Sequence, residues 1–216
     1  MLDVVVRNTE RFLLSVPKTK RKKYGQFFTN MSTAKFMASL FCFDRSKPCL
    51  EILDAGAGTG ILATAVIQKL IDDGYKGRIH VTCYETDDFV MPVLEENMRL
   101  STVLPNVTCS IKTYNYITLQ NFSNYTLFCG EDSHYVFIIC NPPYLKFHDY
   151  DNATYIKDVN SHLGTKLNGF TNLYTLFLLK SIAQLQEGGR LAYIIPSEFL
   201  NSDYGIEVKR ALIQSN

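Results

Sequence analysis

The stretch "CNPPYLK", residues 140–146, follows the apolar run "HYVFIIC". Two consecutive prolines cannot continue that strand, because neither has an N–H to give a neighbour. They stand between an amide, Asn141, and an aromatic ring, Tyr144. An amide oxygen, a backbone carbonyl whose direction proline fixes, and a flat ring are therefore gathered where the strand must end. Taken alone, the tetrapeptide also fits a plain Pro-Pro turn with an Asx hydrogen bond.

A second group of residues narrows the choice. "DAGAGTG", Asp54 to Gly60, comes after the apolar "CLEIL" and ahead of a helical pattern. Glycines let a backbone turn sharply and come close to a ligand. The spacing is Gly56-x-Gly58-x-Gly60, whereas the dinucleotide fingerprint needs Gly-x-Gly-x-x-Gly. No lysine follows the glycines, which excludes a phosphate-binding P-loop. A cofactor without phosphates fits better. Glu85, in "CYETD" at the end of the next strand, is placed to accept hydrogen bonds from two ribose hydroxyls.

These residues need a frame, and the chain supplies one. Helical spacing in "STAKFMASLF", with Ser32 placed to cap, precedes an alternation of strands and helices. "CLEILDAG", "GRIHVTCYE", "NVTCSIKTYN", "HYVFIIC" and "RLAYIIPSEF" read as five strands. "GILATAVIQKLIDDG", "FVMPVLEENMRLST", "TNLYTLFLLKSIAQLQEGG" with a glycine stop, and "GIEVKRALIQSN" read as helices. Such alternation predicts an α/β domain with a mainly parallel sheet, whose ligand sits at the carboxyl ends of the strands. Both the glycine loop and the proline motif fall at such ends.

Composition sets the outer limits. The 216 residues are 46% hydrophobic and 20% charged, with a net charge of +1, as in an ordinary globular domain. The balance argues against a protein coated in positive charge. The first ~35 residues read as polar and basic, and "KTKRKK" (18–23) is either a solvated tail or a nucleic-acid contact. None of the six cysteines forms a Cys-x-x-Cys pair or sits at zinc spacing with a histidine, so buried free thiols and no metal are expected. No run approaches the ~20 apolar residues of a membrane span, and the N-terminus is unlike a signal peptide. A soluble, cytoplasmic protein is expected.

"DAGAGTG" followed by "NPPY" resembles the S-adenosylmethionine-dependent N6-adenine DNA methyltransferases of restriction–modification systems. "YGQFFTNMSTAKFMASLF" looks like their motif X, and motif X ahead of the glycine loop ahead of "NPPY" is the gamma-class order. The likeness covers about residues 24–212. It implies a class I methyltransferase sheet, Rossmann-like, with S-adenosylmethionine as cofactor and DNA as partner. By this resemblance Gln26, Phe28 and Thr29 close over the methionine part of the cofactor. Asp54, Gly56 and Gly58 shape its floor, and Glu85 holds the ribose. The family commonly has an aspartate after the third strand to meet the adenine amine; here Asn115 stands there, with Tyr116 either along the adenine ring or in the core. Asn141 and the Pro142 carbonyl would accept the N–H groups of the target amine, and Tyr144 would stack on a base rotated out of the duplex.

The implied organisation is a basic N-terminal arm (1–23) and a catalytic domain (24–216). The resembled fold has seven strands and a target-recognition domain, so two strands and a C-terminal region or specificity subunit are expected to be missing. On that expectation the chain alone binds cofactor without methylating duplex DNA at a defined sequence. Protein-glutamine N5-methylation, RNA methylation and a catalytically silent cofactor-binding subunit are the competing readings.

Overall fold

In the computed structural model, residues 1–16, 28–118 and 135–214 are described. Helix α1 (Leu2–Ser15) and helix α2 (Met31–Ser39) precede strand β1 (Cys49–Asp54). Then come α3 (Ile61–Asp72), β2 (Arg78–Tyr84), α4 (Met91–Ser101), β3 (Val107–Lys112) and β4 (Tyr135–Cys140). Helices α5 (Asn152–Leu163) and α6 (Leu173–Gln184), strand β5 (Leu185–Tyr193), a 3₁₀ turn (Ser197–Asn201) and α7 (Tyr204–Gln214) follow. The strands form one sheet in the order β3-β2-β1-β4-β5, and every pairing is parallel.

Buried on both faces, the central strands are apolar almost throughout. Their alternate residues feed two cores. Ile52, Val81, Phe137 and Ile139 face α1 to α4, and their cluster includes Leu2, Val5, Met37, Ile67 and Leu94. Leu53, Tyr84, Ile138 and Cys140 face the other way, onto Ile156, Val159, Leu176 and Val208 of α5 to α7. The chain is thus wound on both faces of the sheet, the α/β class that the alternating pattern predicts. None of the described helices is long and apolar enough to cross a membrane.

Several local expectations need correction. The first residues are no polar arm over 2–15: they form α1, with Leu2, Val5 and Thr9 buried. The stretch "KTKRKK" lies outside the described residues. Asn30, not Ser32, caps α2, its side-chain oxygen accepting from the Thr33 N–H at 2.9 Å. Helix α6 stops at Gln184, ahead of the glycines, because Leu185 is already extended and pairs with Tyr135. The structure adds helix α5, which is absent from the helices that the sequence pattern predicts. Cys42, Cys83, Cys109 and Cys140 are free thiols, but Cys49 is disulfide-bonded, against the expectation of free thiols throughout.

Candidate active site

The strand order reverses between β1 and β4, so the connections leaving these neighbours diverge and open a crevice at their carboxyl ends. Asp54 pairs with Ile139 in register. Two residues further along each strand, the glycine loop meets the proline motif. A Cβ on Gly56 would stand 3.7 Å from the Asn141 carbonyl oxygen and 3.8 Å from Pro142 Cα. Strand register alone therefore brings together the two sequence motifs.

A cavity of about 260 Å³ occupies this crevice. Phe28, Thr29, Gly56, Gly58, Glu85, Asn115, Tyr116 and Asn141 all line it. Gly58 and Gly60 hold positive φ values of +53° and +81°, a region that residues with a Cβ rarely enter. Gly60 has a second constraint, since a Cβ there would lie 2.6 Å from Met98 Cε. The loop is tied to the next strand by the Ala57 N–H, which donates to the Tyr84 carbonyl at 2.9 Å.

Asp54 sits beneath the loop and does not line the cavity. It is fully buried, and its carboxylate accepts from the Ala63 N–H at 3.2 Å in the first turn of α3. Burial pushes its carboxyl up to about 7, against the pull of the Gly56 and Ala63 N–H groups. Its part in shaping the floor is to hold the loop-to-helix turn. Glu85 reaches the cavity itself. Its Oε1 accepts from the N–H groups of Thr86 and Asp87, at 2.7 and 2.8 Å. Burial raises the Glu85 carboxyl, while the Asp87, Thr86 and Gly58 N–H groups oppose the rise. The carboxylate is thus aimed by backbone donors on one oxygen.

At the far end, Asn115 Oδ1 accepts from the Ile117 N–H at 3.0 Å, which turns Nδ2 towards the Tyr155 hydroxyl at 2.8 Å. Tyr116 is part of the core: it is 2% exposed, and its hydroxyl bonds Ser181 and Gln184. Its ring meets Tyr84 edge-on at 5.1 Å and lies at 5.2 Å from Phe177. The buried Lys180 Nζ donates to the Tyr116 carbonyl, and burial pushes that amine down to about 7.

At the lip, Asn141 Nδ2 donates to Thr29 Oγ1 at 3.1 Å. The Tyr144 hydroxyl lies 2.7 Å from Asn141 Oδ1 and 2.8 Å from the Ile194 carbonyl. Burial holds that hydroxyl protonated by pushing it up to about 12. Pro142 is buried behind the motif, and Pro143 lines the cavity in its place. Gln26 lies outside the described residues. Sequence reasoning missed Tyr150 and Asp151, just ahead of α5, Tyr155 on it, and Leu173 and Phe177 on α6, which complete the wall. The signal for α5 was a start at Asp151-Asn152 and the stop at Gly164, which has φ +65°.

The chain resembles known proteins over this same frame. Residues 62–216 match the model of the Eco57I restriction-modification methylases. The Type II methyltransferase M.AccI of Acinetobacter calcoaceticus is 40% identical over 213 residues, covering 98% of this chain and 35% of the relative. M.BsuBI of Bacillus subtilis is 30% identical over 208 residues, 93% of this chain and 39% of the relative. The chain thus spans little more than a third of the length of these curated relatives. Among solved structures, a protein described as a class I S-adenosylmethionine-dependent methyltransferase from Listeria monocytogenes superposes with a TM-score of 0.64 at 17% identity, over 88% of this chain and 53% of that one. The type I restriction–modification methyltransferase subunit of Streptococcus thermophilus gives 0.63 at 18% identity, over 87% and 38%. The sheet order and flanking helices are therefore those of class I methyltransferases, and the chain belongs to the Eco57I restriction-modification methylase family.

Proposed function

We propose that this chain carries the cofactor and amine sites of a DNA methyltransferase that moves a methyl group from S-adenosylmethionine to the N6 amine of adenine. The observation that carries the proposal is the single cavity shared by the glycine loop, Glu85 and Asn141. When bound, the cofactor supplies a methyl group on a sulfonium, which needs no metal to be electrophilic.

The chain's own residues do the rest. Gly56 and Gly58 let the backbone come close to the ligand, with Phe28 and Thr29 above. Glu85, aimed by backbone N–H groups, takes the ribose hydroxyls. An exocyclic adenine amine is a poor nucleophile, because its lone pair is delocalised into the ring. Asn141 Oδ1, on the cavity wall, would accept one of its N–H groups and stabilise the positive charge that grows on nitrogen; the buried Pro142 fixes the backbone beside it. One such preorganised group contributes roughly 3 kcal/mol. The Tyr144 ring, fixed by its hydroxyl at Ile194, offers a face for a base rotated out of the helix, a contact of about 1 to 3 kcal/mol.

The Tyr144 proton explains how Asn141 becomes available. One hydrogen faces two acceptors, Asn141 Oδ1 and the Ile194 carbonyl. When a substrate amine donates to Asn141, Tyr144 keeps its bond to Ile194. The exchange leaves neither group unsatisfied, so the usual cost of breaking a buried hydrogen bond is avoided.

Labelled methyl transfer tests this reading. The complete enzyme is offered DNA, RNA and a glutamine-bearing peptide with labelled S-adenosylmethionine, and the products are digested and identified. N6-methyladenine from DNA is the expected product. Label on the peptide or on RNA alone would overturn the reading, as would a wild-type chain that binds no cofactor by calorimetry.

A further inference from the structure

The glycine loop is soft by construction. Gly58 and Gly60 both sit at positive φ, and glycine loses more conformational freedom on ordering than any other residue. Thr59 between them is 1% exposed and is held from outside the loop. Its hydroxyl is hydrogen-bonded to that of Thr9 on α1 at 2.8 Å. Its carbonyl accepts from Asn97 Nδ2 on α4 at 2.8 Å, and Asn97 Oδ1 accepts in turn from Asn8 Nδ2 on α1 at 2.9 Å. Thr9 and Asn97 are both buried, where a hydrogen bond is worth more than on the surface and its loss costs more.

Helix α1 also reaches the other side of the loop. Phe12 meets Phe28 edge-on, with ring centroids 6.0 Å apart. Phe28 in turn lies over Gly58, its Cε1 3.4 Å from where a Cβ would stand. One helix therefore grips the loop from below, through Thr9 and Asn8, and backs the ring that covers it, through Phe12.

We propose that α1 is a positioning element of the cofactor site, with Thr9 and Asn8 setting the glycine loop through Thr59 and Asn97, and Phe12 setting Phe28. This inference rests on the reading that the cavity holds S-adenosylmethionine. The helix contributes no residue to the cavity wall. It acts by removing loop conformations that cannot bind, so less binding energy goes into ordering the two glycines.

The test is calorimetry of S-adenosylmethionine binding, well below the unfolding temperature, to wild type, Thr9→Val, Thr9→Ser and Tyr75→Phe. Tyr75→Phe is the control for stability alone. It removes a hydroxyl bonded to the Lys47 carbonyl at the opposite end of β1. Thr9→Val should weaken binding roughly five- to tenfold, the cost of one buried hydrogen bond. Thr9→Ser should restore it, and Tyr75→Phe should lower the unfolding midpoint with unchanged affinity. Wild-type affinity in Thr9→Val, no rescue by serine, or an equal loss in Tyr75→Phe would each overturn the proposal. The chain has no tryptophan, so Phe12→Trp supplies a single indole outside the cavity, excited at longer wavelength than the tyrosines. Its emission should change on cofactor addition, and a silent spectrum with bound cofactor would also overturn the proposal. If the wild type bound no cofactor, the reading of the cavity would fall as well, which separates the two failures.

Discussion

The floor and the lip of the cavity are held by different kinds of interaction. On the floor, Asp54, Thr59 and Asn97 are buried and bonded to backbone groups or to one another. Glu85 is aimed by two backbone N–H groups. At the lip, Asn141, Pro143 and Tyr144 are half-buried and Lys146, His148 and Asp149 are exposed. There, side chains bond one another in the open, Thr29 to Asn141 and Asn141 to Tyr144, and Tyr144 also bonds the Ile194 carbonyl; Phe170 stands 68% exposed near Phe147. On the proposed reading, a floor that meets one unchanging ligand gains from being fixed in advance, and a lip that accepts a substrate amine needs bonds it can exchange.

The comparison is broken most sharply at Asn141. Asn141→Ala in the complete enzyme should lower transfer roughly 100- to 1,000-fold, as for loss of one preorganised charge-stabilising group. Cofactor affinity, measured by calorimetry, should fall far less than transfer, because Glu85 and the glycine loop are untouched although Asn141 lines the same cavity. Turnover within a few-fold of wild type would remove Asn141 from the chemistry. Glu85→Ala is the reciprocal test. Losing a charged acceptor costs about 1.5 to 3 kcal/mol, so cofactor binding should weaken by roughly ten- to a hundredfold. Unaltered affinity would place the ribose elsewhere.

A smaller effect is expected at the far end of the floor. Asn115 stands where the resembled family has a carboxylate, and Tyr155 holds its amide. Tyr155→Phe removes the acceptor for Nδ2 while keeping the ring in the wall. The net worth of such a bond is about 1 kcal/mol, or roughly fivefold in affinity. No change in affinity would mean that the Tyr155 bond does not set the Asn115 amide.

The floor was far more legible in the sequence than the lip, for a physical reason. Strand β1, the glycine loop and α3 are consecutive, so local rules of turn and period fix them. Glu85 could be placed because it ends the adjoining strand. Helix α1 is amphipathic, with Leu2, Val5 and Thr9 buried, but Asp3, Arg7, Glu10 and Arg11 interrupt its apolar residues, so the stretch reads as polar when taken together with the basic run after it. Helix α5 buries just Ile156 and Val159, too thin a stripe to stand out. The contacts that complete the lip join residues far apart in the chain. Thr29 and Asn141 are 112 residues apart, and Tyr144 and Ile194 are 50 apart. Residue types could suggest Asn141 and Tyr144, but not that one would hydrogen-bond the other.

That bond supports the smallest and most specific prediction. Tyr144→Phe keeps the ring that would face a base and deletes only the proton shared between Asn141 Oδ1 and the Ile194 carbonyl. If the hydroxyl is a placeholder that yields to the substrate amine, its removal spares Asn141 one bond to exchange and keeps the tether to Thr29. The loss then falls on ring orientation, since the ring has lost its hydroxyl anchor at the Ile194 carbonyl. A single neutral hydrogen bond is worth about 1 kcal/mol, so transfer should drop by no more than roughly fivefold. Cofactor affinity should not move at all, because Tyr144 does not line the cavity. A fall as deep as that of Asn141→Ala would show that the hydroxyl takes part in the transfer itself. The exchange of partners at the lip would then be wrong, and Tyr144 would join Asn141 as a group that acts on the amine.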